Sequence, residues 1–247
     1  MFERVKTCIK KISTAGARTE ALRHVRSEDK ELISNIRAKK LTYLSEKKLA
    51  SIATTCYSIE RSNLAGLFVE AGCALGGSSI LMASIKEKGR PLFIYDVFGM
   101  IPPPTKDDPN EVHERYQTIV SGESQGLGGD TYYGYQESLI NVVKSNFVEF
   151  GVDCGRQNVS LVKGLVQETL HVDGPVALAH VDVDWYEPVK TCLERLYPSL
   201  VVGGSIILDD YNDWGGCRKA TDDYLRDLVD DVVMDDSAGS MKITKIR

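Results

Sequence analysis

The sequence predicts an α/β fold whose sheet is mostly parallel and closes with a C-terminal antiparallel hairpin. Three stretches carry that expectation. Residues 176–210 (VALAHVDVDWYEPVKTCLERLYPSLVVGGSIILDD) read as strand, helix, strand, with acids ending both strands. Residues 66–79 read as a short strand running into a glycine-rich turn and a helix. The tail DVVMDDSAGSMKITKIR reads as two strands around an Asp-Ser-Ala-Gly turn.

Taken in order, residues 1–27 are basic and weakly periodic, an arm rather than a core element. Ser45 then has the chemistry of a helix N-cap, and Leu49, Ile52, Ala53, Cys56 and Ile59 follow on one helical face. Residues 1–62 are thus expected to be a helical N-terminal arm or cap before a main domain at 63–247. This segment has three open roles: covering the sheet, closing a pocket or joining subunits. The last would make the chain a homo-oligomer, a dimer or larger.

Leu67 to Val69 form a strand that runs into Glu70, then the turn, then a helix opened by Ser78 and carrying Ile80, Leu81 and Ile85. Glycines there permit close backbone approach to a nucleotide-like ligand. The spacing is Glu-x-Gly-x-x-x-Gly, not GxGxxG, and an acid before the turn suits a ligand carrying an ammonium group. S-adenosylmethionine fits better than a pyrophosphate. Glu70, Ala71, Gly72, Gly76, Ser78 and Ser79 are the cofactor candidates there; a tight turn holding no ligand is the competing reading. The next strand, Pro91 to Tyr95, ends in Asp96, where a ribose diol is usually gripped. A plain strand-end cap is the alternative for Asp96.

Residues 99–135 interrupt the alternation with three consecutive prolines, a short polar helix and a glycine-rich segment with three tyrosines. Such a composition is not expected in a core, and at this length it reads as a lid or substrate loop. Tyr132, Tyr133 and Tyr135 would stack on a substrate or anchor the loop. His113 is a candidate base, against the commoner reading of a solvated side chain. A helix over 136–150 carries Leu139, Val143, Phe147 and Phe150, and Val159 to Val162 form the third strand. Gly164 and Gln167, just beyond it, would pass beside an adenine. His180 alternates with Leu178 and Asp182 on one strand face, as a hydrogen-bonded core residue would. A helix is expected from about 216 to 228.

A net charge of −5 argues against nucleic acid or an anionic membrane as partner. No apolar run approaches a membrane span, the N-terminus lacks the apolar core of a secretory signal, and the six cysteines are scattered. A cytoplasmic protein with reduced thiols, acting on a small molecule, is the expectation. In a parallel sheet the acids at 182, 184, 209 and 210 meet at one edge. Like charges 4 Å apart cost about 4 kcal/mol at an effective dielectric near 20. A hard divalent cation would remove that cost, so a Mg²⁺-type site is expected at this edge.

The segments FVEAGCALGGSS, YDVFGMIPP, SNF…VSLVKGLVQETL, HVDVDWYEPVKTCLERLYPSLVVGGSIILDDY and GCRKATDDY, over roughly residues 40–230, resemble the macrocin O-methyltransferase (TylF-like) family. The resemblance implies a seven-stranded, Rossmann-like class I methyltransferase sheet. It also implies dependence on S-adenosylmethionine and on Mg²⁺, or Mn²⁺ or Ca²⁺ in its place, and O-methylation of a hydroxyl, often on a natural-product sugar. Carried over by residue, Asp182, Asp209 and Asp210 become the metal ligands, and Glu70, Gly72 and Asp96 cofactor residues. Asp182 also borders the cofactor, and Asp184 becomes a carboxylate beside the metal or the substrate. Val183 stands where macrolide enzymes carry glycine. The proton acceptor stays open among Asp182, Asp184 and a lid residue such as Tyr133 or His113. The alternatives are a phenolic, catechol-like acceptor or, in another class, a glycosyltransferase using Asp-x-Asp.

Overall fold

The computed structural model describes residues 22–247. The arm expected at 1–27 therefore lies mostly outside the described residues. Its end forms a short turn at Leu22–His24, and a helix, α1, follows at Ser27–Ala38. A helical segment is expected here, and α1 buries Asp29, Ile33 and Ile36 on an otherwise charged stretch. Helix α2 (Glu46–Arg61) starts at Ser45, whose hydroxyl accepts the Lys48 N–H at 3.2 Å. Leu49, Ile52, Ala53, Cys56 and Ile59 are all buried on its inner face.

Seven strands follow: β1 (Leu67–Ala71), β2 (Leu92–Asp96), β3 (Val159–Lys163), β4 (Val176–Val181), β5 (Leu200–Leu208), β6 (Val232–Asp235) and β7 (Met241–Lys245). They form one sheet in the order β3-β2-β1-β4-β5-β7-β6. The five strands from β1 to β5 pair parallel, and β7 runs antiparallel to both β5 and β6. Every residue of β1 and β4 is buried, as expected of central parallel strands covered on both faces.

One face is covered by α1, α2, α3 (Gly77–Ile85) and, beyond α4 (Asn110–Val120), by α5 (Leu139–Glu149); their apolar residues join Phe68 and Ile94 of the sheet in one cluster. The other face is covered by α7 (Tyr186–Leu196) and α8 (Gly215–Leu225), with Val69 and Val181 beneath. Between them a single turn, α6 (Val166–Thr169), follows β3. Strand order reverses between β1 and β4, so the crossovers leave in opposite directions and a crevice opens at their C-terminal ends. No helix among the described residues is long and apolar enough to cross a membrane, and the five described cysteines are free thiols.

Candidate active site

The acids meet at that crevice. The chain leaves β4 at Asp182, whose N–H donates to the Ala71 carbonyl at 2.8 Å. Gly72 lies against this bond with φ +82°, and a Cβ there would collide with the Asp182 carbonyl. Beyond β5 a 3-10 turn, Asp209–Asn212, supplies two more acids. Carboxylate oxygens of Asp182, Asp209 and Asp210 lie within 4.8 Å of one another. Burial, with Asp209 and Asp210 beside it, raises the Asp182 carboxyl well above its usual range; burial, with Asp184 and Asp209, does the same to Asp210. Asp184, held in left-handed backbone at φ 58°, is pushed up to about 6 by burial and by Asp209.

The three carboxylates differ in what already holds them. Asp210 Oδ2 is buried and has no hydrogen-bond partner. Asp209 is held on both sides: Ser240 donates to Oδ1 at 2.8 Å, and the Lys48 ammonium to Oδ2 at 3.0 Å. Lys48 also donates to the Asp209 carbonyl at 3.2 Å and to Asp213 at 2.8 Å. Burial alone would lower the Lys48 pKa, but these two acids hold it above its usual value. Helix α2 thus covers the sheet and also reaches the acid cluster.

A cavity of about 260 Å³ runs from these acids to the ends of β1, β2 and β3. Gly72, Asp96, Gly164, Gln167 and Asp182 all lie on its wall. The Asp96 carboxylate accepts the N–H groups of Cys73 (2.7 Å) and Phe98 (2.6 Å). It therefore caps the strand end while still facing the cavity. Gln167 Oε1 is buried and unpartnered. Arg195 of α7 clamps the turn that carries this residue, donating to the Val166, Gln167 and Leu170 carbonyls.

Other expected cofactor residues stand off the wall: Glu70, Ala71, Gly76, Ser78 and Ser79 do not line the cavity. Glu70 alternates with Phe68 onto the face that α3 covers. It is fully buried there, one oxygen accepting from His180 Nδ1 at 2.8 Å and the other from the Ser79 hydroxyl. Both oxygens of that carboxylate thus have partners within the fold. His180 is therefore the hydrogen-bonded core residue that strand alternation indicated.

The 99–135 segment is more core-like than its composition indicated. Val112, Ile119 and Tyr132 are buried, because the segment folds over the crevice and packs its apolar side inward. Trp185 Nε1 donates to the Pro102 carbonyl at 2.9 Å, and Asp108 accepts the Tyr186 N–H at 2.7 Å, pinning the segment to the start of α7. Tyr132 and Tyr133 line the cavity with their rings 4.5 Å apart, and Tyr43 approaches Tyr133 at 6.0 Å. The Tyr135 hydroxyl instead donates to the Ile119 carbonyl within the segment. Burial, with Tyr132 beside it, raises the Tyr133 phenol well above its usual value. His113 is not on the wall; its Nε2 faces the Thr105 carbonyl at 3.0 Å, which can only accept, so this nitrogen donates.

The profile of the macrocin O-methyltransferase (TylF) family matches residues 3–240. The chain belongs to that family. A demethyldecarbamoylnovobiocin O-methyltransferase of Streptomyces niveus is 28% identical over 226 residues, covering 87% of this chain and 78% of the relative. An 8-demethyl-8-(2,3-dimethoxy-alpha-L-rhamnosyl)-tetracenomycin-C 4'-O-methyltransferase of Streptomyces olivaceus is 26% identical, covering 74% and 67%. Among solved structures, the O-methyltransferase NovP superposes with a TM-score of 0.70 at 24% identity, covering 84% of this chain and 83% of its own. The calicheamicin methyltransferase CalS11 gives 0.60 at 17% identity, covering 96% and 94%. The protein is an S-adenosylmethionine-dependent O-methyltransferase with the class I sheet, as the sequence resemblance implied. The glycosyl-transfer alternative falls with that membership.

Several residues of this methyltransferase's site carried no sequence signal. Lys48 looks like its neighbour Lys47, and Ser240 sits in a hairpin turn 31 residues from Asp209. Arg115 and Tyr43 also line the cavity from surface-like stretches.

Proposed function

We propose that the enzyme methylates a hydroxyl of a small-molecule acceptor and uses a divalent cation, Mg²⁺ or Mn²⁺, held by Asp182, Asp209 and Asp210. The observation that carries this reading is three carboxylates within reach of one ion, with Asp210 Oδ2 buried and unpartnered. An all-oxygen donor set without nitrogen or sulfur suits a hard cation. The bound cation would supply positive charge that lets a nearby hydroxyl lose its proton near neutral pH.

The chain's own residues would do the rest. Asp184, on the cavity wall two residues from Asp182, is placed to take the acceptor proton. Tyr133, whose phenol stays protonated, donates a hydrogen bond, and His113, committed to Thr105, stays out of the chemistry. Asp96 uses the lone pairs left by its two backbone bonds for the ribose diol, and Gln167 Oε1 accepts from the adenine amino group. The pinned lid excludes water and aligns the acceptor, a positioning effect worth effective molarities of about 10⁵–10⁸ M.

The relatives act on a novobiocin precursor and on a rhamnosyl-tetracenomycin, which supports a sugar hydroxyl of a natural product as acceptor. The aromatic wall of Tyr43, Tyr132, Tyr133, Trp185 and Trp214 favours a vicinal phenol as second reading. Thermal shift with S-adenosylhomocysteine tests the cofactor assignment: ligand at 100 times Kd adds about 2.7 kcal/mol, roughly 5–10 °C for a domain this size. Turnover undiminished after chelation would remove the cation from the mechanism.

A further inference from the structure

The cavity wall is chemically lopsided. Asp96, Asp182, Asp184, Asp209 and Asp210 all lie at the sheet edge, and the single basic side chain on the wall, Arg115, comes from lid helix α4. A guanidinium has five N–H donors in a rigid fork. Arg115 commits one of them, Nη2 to the Ser124 hydroxyl at 2.9 Å, and its guanidinium carbon stands 6.0 Å from the centre of the Tyr132 ring. It forms no ion pair within 4.0 Å among the described residues, although its charge also acts on Asp184, opposing the effect of burial there. By contrast, Arg90 grips Glu60 through two nitrogens, and Arg195 satisfies three carbonyls. The lid does not need Arg115 to close, since Trp185, Asp108 and Tyr135 latch it.

We propose that Arg115 binds an oxyanion, a carboxylate or phosphate, on the acceptor, so that the substrate is an acidic hydroxylated compound. Its hydroxyl lies at the acid end and its anion at the lid end. The inference rests on the methyl-transfer reading above and adds the charge of the substrate to it. A planar fork with free donors is the geometry that recognises such groups bidentately, and an ammonium in its place would bind them only as a point charge. The field of Arg115 also reaches the aromatic wall, where it opposes the effect of burial on the Tyr43 and Tyr132 phenols.

A consequence follows from counting charge. Those carboxyl groups that are ionised repel an anion from the metal-free cavity. The cation brings two positive charges to the acid end, so the acidic acceptor binds after it.

The test is calorimetric titration of the full chain, with S-adenosylhomocysteine and Mg²⁺ present, using matched probes. Dihydroxybenzoate is compared with dihydroxybenzyl alcohol for the carboxylate arm, and glucose 6-phosphate with glucose for the phosphate arm. Wild type should bind the charged member of at least one pair about 10-fold more tightly than its neutral mate. The arm that shows the preference identifies the anion. Arg115→Gln should bring the two members within about 2-fold, and Arg115→Lys should keep part of the preference. Omitting Mg²⁺ should weaken it in wild type. Equal binding within both pairs, no binding of any probe, or a preference that survives in Arg115→Gln overturns the proposal. S-adenosylhomocysteine affinity, read in the same cells, separates the two readings. If it binds and charge does not matter, only the acidic-acceptor inference fails; if it does not bind, the cofactor reading fails and takes this inference with it.

Discussion

Glu70 and the Asp182–Asp209–Asp210 cluster are buried acids on neighbouring strand ends, and their surroundings make opposite use of them. Glu70 sits beside His180 in the β1–β4 register, and His180 and Ser79 each fill one of its oxygens. The cluster is less completely enclosed, yet one Asp210 oxygen has no partner and the carboxylates crowd each other. Depth of burial therefore does not mark a ligand site. What separates the two places is whether the acid's own oxygens are already partnered; the far nitrogen of Glu70's partner, His180 Nε2, is itself buried without one. A balanced acid specifies packing; an unbalanced one needs a visitor.

The largest effect expected from this contrast is at Asp182. Asp182→Asn removes one carboxylate from the cluster and should lower kcat/KM by at least about 10²-fold and weaken Mg²⁺ binding comparably. S-adenosylhomocysteine affinity should change little. Methyl-transfer rates with titrated metal measure the first, and calorimetry the second. Loss of cofactor binding alongside activity would show instead that the carboxylate holds the fold of the crevice.

Glu70→Gln should behave in the opposite way. It leaves a buried donor poorly matched beside His180 or Ser79, a cost of about 1–3 kcal/mol. For a domain of this size, each kcal/mol corresponds to about 2–4 °C in Tm. Metal affinity should stay within about 2-fold of wild type. A variant with native Tm and lost cofactor binding would restore Glu70 to the role its place before the glycine turn indicated.

The difference between these two acids also shows where sequence reading stops. Strands β1, β4 and β5 were legible because continuous apolar runs end in local acids, and the crossover rule brings those ends together without knowledge of side-chain packing. Glu70 was visible as an acid before a turn, but its partner His180 is 110 residues away, and only the strand register pairs them. Lys48 reaches Asp209 across 161 residues and belongs to a helix whose inner face alone was readable. Lid residues such as Tyr132 were legible in type and not in burial, because a polar, glycine-rich segment can still lay its few apolar side chains inward over a crevice.

Lys48 sharpens the comparison from within the cluster. A cation sharing Asp209 with the ammonium is repelled by it, by roughly 5 kcal/mol at an effective dielectric near 20. Loss of Asp209 orientation would act the other way by about 10–100-fold in affinity, and Ser240 still restrains that carboxylate. The charge effect is larger, so Lys48→Met should bind Mg²⁺ more tightly, by about 10²-fold, while the metal-free protein loses stability. Calorimetry and thermal unfolding of the same variant read both quantities. Weaker Mg²⁺ binding would make Lys48 chiefly a brace for Asp209.

The smallest expected effect concerns pH in the metal-free protein. Asp182 and Asp210 are raised well above the usual carboxylate range and Asp184 is raised to about 6, so the folded chain holds protons that the unfolded chain has released. Stability rises with pH only where the unfolded state binds more protons. Here the folded state binds more, so stability is gained as pH falls through these raised values toward about 4, the unfolded carboxylate value. Chelated protein should therefore melt a few degrees higher at pH 6 than its other titrating groups alone would give. That contribution is read as the difference between melting curves with EDTA and with saturating Mg²⁺, since a bound cation keeps the carboxylates ionised and removes the proton uptake. Curves that stay parallel from pH 6 to pH 8 would mean that the cluster is already neutralised within the fold, and the contrast between the two acids would collapse.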